Sequence, residues 1–236
     1  MSPSLSPESS PSQRNSGRGP NGIKLTYFDW EGVAEKIRLA LALGGIDFED
    51  ERVTLENWPD LKPKSRFEQL PTMKIGERSD VAESGAMLRY VGQLAGLYPN
   101  DLLLEIEEVI GLEEDIGRVM FPSFHIVSKP ENYGYPADLS RDLRHKLQKS
   151  LRSRLVAEGG DLQRMLGYLE SYLDETTWIC GARLTIADCQ VIARLRQLKI
   201  GKLEGIPDDL VDRFPRLKRY YNRFHELPAV KEHYEM

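Results

Sequence analysis

The sequence predicts an α/β domain over residues 23–97 followed by an all-α domain over residues 102–236. Three observations carry this. Strand-like and helical runs follow one another as β-α-β and then β-β-α within the first stretch. A proline, Pro71, stands where the third strand-like run begins. Beyond residue 102 only helical periodicity is left, with no alternating run.

Each element has its own reason. Ile23 to Phe28 (IKLTYF) alternates well enough for a short strand. Glu31 to Leu43 reads as a helix with Val33, Ile37 and Leu41 on one face, and Gly44-Gly45 ends it as a left-handed C-cap does. Phe48 to Thr54 gives a second strand, and the short link between the two implies a right-handed parallel crossover. An irregular stretch from Leu55 to Leu70 holds Trp58. Proline cannot donate to a ladder, so Pro71 opens the third strand, Thr72 to Ile75. A turn at Gly76 to Asp80 leads to a short fourth strand around Val81 and Ala82. Ser84 is then expected to cap a helix running to about Leu94. That order is the thioredoxin-like plan.

After a linker at Tyr98 to Asp101, helical patterns cover 102–121, 140–173 with a break near Gly159-Gly160, and 185–198. Thr185 and Asp188 have the spacing of a capping box, with Asp in place of the usual Glu; that motif is structural.

Composition excludes several function classes. A net charge of -5 over 236 residues argues against a broad phosphate-binding surface, so no nucleic-acid partner is expected. No apolar stretch reaches the ~18 residues of a membrane span. Two cysteines, Cys180 and Cys189, cannot form a disulfide framework, which suits a reducing, cytoplasmic setting. The histidines His125, His145, His225 and His233 lack metal-ligand spacing, so no metal is expected. Residues 1–22, with seven serines and four prolines, are expected to be a disordered tail. An organelle transit peptide is the alternative, favoured by Arg14 and Arg18 and opposed by Glu8 and the prolines.

Three places in the first domain can carry chemistry. Tyr27 lies near the end of the first strand, where a tyrosine alone is an ordinary strand residue. Gln69-Leu70-Pro71 precedes the third strand. Glu83-Ser84 opens a helix, and a helix N-terminus suits a ligand carboxylate.

Taken together, the stretches KLTYF, NWPDLK, QLP, ESGAMLRYVG, GLYPND and LTIAD agree in order and spacing with one family. From about Ile23 to Tyr234 the chain resembles a cytosolic glutathione S-transferase, most similar to the sigma and pi classes. The resemblance implies the two-domain glutathione S-transferase fold and glutathione as co-substrate. It implies that Tyr27 activates the glutathione thiol for attack on a small hydrophobic electrophile, with peroxide reduction as a further activity. It places Trp58 and Lys62 at the glycyl carboxylate, Leu70 before a cis Pro71 at the cysteinyl main chain with Gln69 beside it, and Glu83 and Ser84 at the γ-glutamyl end. Asp115 matches the acidic residue that reaches the neighbouring subunit's glutathione. Asp29, Trp30, Phe121 and Phe124 would face the electrophile, and Phe67 would anchor a homodimer.

Two departures stand out. The family's arginine after the tyrosine is Val33, which removes a charge clamp on glutathione, and the usual glutamine before Ser84 is Glu83. The chain has no Cys before Cys180, which excludes mixed-disulfide chemistry on the first domain, and no Ser between Ile23 and Glu35. The alternatives are a non-catalytic binding protein of the same fold and a prostaglandin-type isomerase.

Overall fold

The computed structural model describes residues 22–235. The tail expected over 1–22 therefore lies outside the described residues, Gly22 excepted.

A three-stranded sheet of order β2-β1-β3 organises the N-terminal domain. Strand β1 (Ile23–Phe28) pairs parallel with β2 (Phe48–Val53) and antiparallel with β3 (Thr72–Ile75). Alternation along β1 buries Ile23, Leu25 and Tyr27 on the face that the helices cover. On the other face Lys24 and Thr26 both bond to Glu51, at 2.7 Å each. The expected fourth strand is a single bridge, in which Met73 and Val81 exchange N–H to carbonyl bonds of 2.9 and 2.8 Å. It stops there because Glu83, at φ 74° and ψ 99°, swings the chain into the next helix.

Helix α1 (Glu35–Leu43) starts later than its apolar spacing suggests. Gly32, at φ +48°, cannot continue a right-handed helix, so residues 32–34 form one 3₁₀ turn first. Its far end is the expected glycine cap. Gly45 is left-handed at φ +59°, and Gly45 and Ile46 donate to the carbonyls of Ala42 and Leu41 at 3.0 Å each. A short α2 (Trp58–Leu61) breaks the irregular stretch before β3.

Helix α3 (Ser84–Leu94) corrects an expectation. Its N-cap is Glu83, whose carbonyl accepts from Ala86 and Met87 at 3.0 and 3.1 Å, and no side chain caps it. Ser84 is the first helical residue, so its hydroxyl is not used as a cap.

The second domain is helical. Helix α4 (Leu103–His125) continues past Phe121 with Pro122 inside it. The run after Ser140 divides at left-handed Gly159 into α5 (Arg141–Val156) and α6 (Asp161–Ser171), as the paired glycines suggested. Helix α7 (Ile186–Ile200) is the hub, with Ile186, Cys189, Val191, Ile192 and Leu195 all buried. Its capping box forms. The Asp188 carboxylate accepts from the Thr185 and Ile179 N–H groups at 2.7 and 2.9 Å, and from the Tyr220 hydroxyl at 2.9 Å. Helices α8 (Pro215–His225) and α9 (Pro228–Glu235) close the fold, and α9 packs on α1. One apolar core runs through both domains. Among the described residues no helix is long and apolar enough to cross a membrane.

Candidate active site

Tyr27 sits at the end of β1 with 7% of its surface exposed, and its hydroxyl is tucked against the turn before α1. Gly32 makes that placement possible. A Cβ on Gly32 would lie 2.5 Å from the Tyr27 hydroxyl oxygen and 2.8 Å from the ring. Burial pushes the Tyr27 hydroxyl above its ordinary value of 10; the nearby Val33 backbone, the Trp30 side chain and the charge of Arg38 oppose this. Edge-on contacts with Phe28 at 5.5 Å and Trp30 at 6.2 Å fix the ring.

Beneath the ring lies Arg38, fully buried in α1. Its Nε donates to both Asp50 carboxylate oxygens at 3.2 and 3.0 Å, and Nη1 donates to the Trp30 and Glu31 carbonyls at 3.2 Å each. Glu35 adds a contact of 3.4 Å and in turn meets His233 of α9 at 2.9 Å. The loop that holds the Tyr27 hydroxyl is thus tied to α1, β2 and the C-terminal helix.

A cleft of about 430 Å³ opens between the start of α3 and helices α4 and α7. Glu83 and Ser84 line it, with Val33 and Lys36 from the turn and first part of α1. Glu83 adopts a backbone conformation that L residues rarely take, and its Oε1 accepts from Gln69 at 3.1 Å. The structure thus joins Gln69 to Glu83 directly. The Leu70-Pro71 bond is cis, as the resemblance implied.

The other residues singled out in the sequence sit as follows. Trp58 is half-buried and edge-on to Phe28 at 5.5 Å, while Lys62 is exposed on the next turn. Asp29 is exposed 3.9 Å from Arg52, and Trp30 stacks on Phe28 at 4.5 Å. At the far end of α4, Phe121 is exposed and stacked on His125 at 3.8 Å, and Phe124 lies under Arg152 at 5.0 Å. No aromatic contact joins these two to the Tyr27 cluster among the described residues. Asp115 pairs with Arg118 and does not line the cleft, whereas its neighbours Glu113 and Glu114 do. Phe67 is 65% exposed at φ 57°, with the Arg66 guanidinium 4.9 Å from its ring. Burial pushes the half-buried Cys180 thiol up to about 12 and the buried Cys189 thiol well above its usual value, so neither is a ready nucleophile.

Sequence reasoning missed Gly32, Lys36 and Arg38 as parts of this region. Arg38 had a signal: it directly follows Ile37 on the apolar side of α1, where a charge must be paired.

Two family models match the chain. One, described as "Glutathione S-transferase, N-terminal domain", covers residues 23–93, and the other, "Glutathione S-transferase, C-terminal domain", covers residues 142–236. Among curated relatives, "Glutathione S-transferase 2" of Manduca sexta is 40% identical over 211 residues, covering 89% of this chain and 93% of its own. "Hematopoietic prostaglandin D synthase" of Gallus gallus is 28% identical over 214 residues, covering 89% and 94%. Among solved structures, the glutathione S-transferase of Ascaris lumbricoides matches with a TM-score of 0.68 at 26% identity, over 89% of this chain and 95% of its own. Prostaglandin synthase D of Nilaparvata lugens matches at 0.74 and 23% identity, over 91% and 97%.

Proposed function

The chain belongs to the glutathione S-transferase family, and we propose that it transfers glutathione to small hydrophobic electrophiles with Tyr27 as the residue that activates the thiol. The observation that carries this is the Tyr27 hydroxyl. It is buried at the end of β1 and held against the turn at Gly32, and as a protonated phenol it carries a hydrogen to donate.

A free thiol with a pKa of about 8.5 is only a few per cent thiolate at neutral pH, and the thiolate is the nucleophile. A donated hydrogen bond favours the charged form. Lowering the thiol by about two pKa units needs about 2.7 kcal/mol, within the range of one buried hydrogen bond to a charge. Tyr27 keeps its proton at neutral pH because burial raises its pKa, so it acts as a donor and not as a base.

Around it, Trp58 and Lys62 would hold the glycyl carboxylate, and the Leu70 main chain would pair with the cysteinyl unit beside Gln69. Glu83 and Ser84, lining the cleft, would receive the γ-glutamyl end. Exposed Trp30 and Phe121 offer apolar surface to an electrophile, with Asp29 and Phe124 nearby in sequence. In this reading the protein works as a homodimer in the cytoplasm. Exposed Phe67 would be the anchor, and Asp115 would reach the partner's glutathione.

A second reading, isomerisation of a prostaglandin-like endoperoxide, is favoured by one observation: a relative bearing that name aligns over 94% of its length. Conjugation of glutathione to an aromatic halide, measured for wild type and Tyr27→Phe, tests the main reading. A wild type that turns over, and a variant slowed about tenfold or more with unchanged glutathione affinity, is the expected result. A wild type that binds glutathione without conjugating it would leave only a binding protein.

A further inference from the structure

We propose that Lys36 binds the α-carboxylate of the γ-glutamyl unit, so that the interdomain cleft receives a whole zwitterionic amino-acid group and not a simple anion. This deepens the transferase reading and rests on it. The reason lies in which charges of the cleft are already matched. Arg89 is held by Glu107 at 2.5 Å, and Arg194 by Glu113 at 2.7 Å. Lys36 has no carboxylate within ion-pairing distance among the described residues. Its Nζ donates to Gln190 Oε1 at 3.3 Å, and Gln190 is itself engaged through Nε2 with Glu113 at 2.6 Å. An ammonium has three donors, and one long bond to an amide leaves it under-used.

Burial between α1 and α7 pushes Lys36 below its ordinary 10.5, while the fields of Glu113 and Glu114 push it up and those of Arg194 and Arg89 push it down. An arriving carboxylate would relieve that desolvation cost. The opposite sign is present as well. Glu83 and Glu114 line the same space, and no cation pairs with either among the described residues. Ser84 and Gly85 add the positive end of α3. One cation, a helix start and two such carboxylates facing one space match the mixed charges of an amino-acid zwitterion. A phosphate dianion would meet Glu83 and Glu114 with like charge. Val33, one turn before Lys36, brings no charge of its own to this wall, so Lys36 is the cation that α1 supplies.

The test is calorimetric titration of the full chain with two ligands: glutathione, and γ-aminobutyryl-cysteinyl-glycine, which lacks only the α-carboxylate. Lys36→Met and Lys36→Gln should weaken glutathione about tenfold, while Lys36→Arg stays close to wild type. None of the three should change affinity for the analogue. Unchanged glutathione affinity in Lys36→Met and Lys36→Gln, or an equal loss for both ligands, overturns the assignment and leaves the transferase reading standing. A wild type that does not bind glutathione overturns that reading itself.

Discussion

The guanidinium carbon of Arg38 lies 5.8 Å from the centre of the Tyr27 ring, and no part of Arg38 reaches solvent. One buried cation therefore supports the ring from below while its Nη1 clamps the Trp30 and Glu31 carbonyls of the loop above. Replacing Arg38 by Met takes the buried cation from Glu35 and Asp50, leaving Glu35 with His233 alone and Asp50 with the more exposed Arg52. The expected cost is about 3–5 kcal/mol in urea denaturation, the range for breaking a buried pair from one side. Arg38→Lys keeps the charge but loses the planar fork, so it should recover less than half of that. A loss below about 1 kcal/mol for Arg38→Met would show that the network does not support the site.

Gly32 should be intolerant of any side chain. Gly32→Ala faces a left-handed backbone, costing about 1–2 kcal/mol, and a Cβ in the place of the Tyr27 hydroxyl oxygen. Activity should fall about tenfold or more, through kcat, with a folded protein by circular dichroism. Full activity in Gly32→Ala would mean that the hydroxyl does not need this position.

Much of this was legible in the sequence. The order of strands and helices, the Gly44-Gly45 cap, the Gly159 break and the capping box at Thr185 follow from local rules, in which a few neighbouring residues decide the outcome. What was not legible depends on tertiary contact. The helix cap lies at Glu83 and not at Ser84, and the Glu83 carboxylate accepts from Gln69, a bond between residues 14 apart. The place of Arg38 in α1 depends on Asp50 from strand β2, and that of Lys36 on Gln190 from the other domain. Helix α9 was unremarkable as sequence, yet it reaches Glu35 through His233.

Asp188 gives a pH signature. Full burial raises its carboxyl to about 6, against bonds from Ile179, Thr185 and Tyr220 that hold it down. A carboxyl raised above its unfolded value of 3.8 adds stability that is fully present below that value and lost as pH rises through about 6. Its contribution should therefore decline between about pH 4 and pH 6.5. The stability difference between wild type and Asp188→Asn, followed by denaturation from pH 4 to pH 8, should change over that window. A difference that stays flat would remove Asp188 as the titrating group.

Phe67→Ser tests the proposed dimer. The ring is exposed on a strained turn, so its loss should barely affect folding, within about 0.5 kcal/mol. Sedimentation should shift toward monomer, and activity should fall with it, because Asp115 would no longer reach a neighbouring site. A dimer that survives the substitution with full activity would exclude Phe67 as anchor.

The central claim is that the Tyr27 hydroxyl lowers the pKa of the glutathione thiol by donating a hydrogen bond. Titrating thiolate absorbance of bound glutathione against pH, for wild type and Tyr27→Phe, measures that directly. Wild type should show a thiol near about 6.5, and the variant should return toward the value of about 8.5 for a free thiol. Identical titrations in the two proteins would contradict the account, whatever their relative rates.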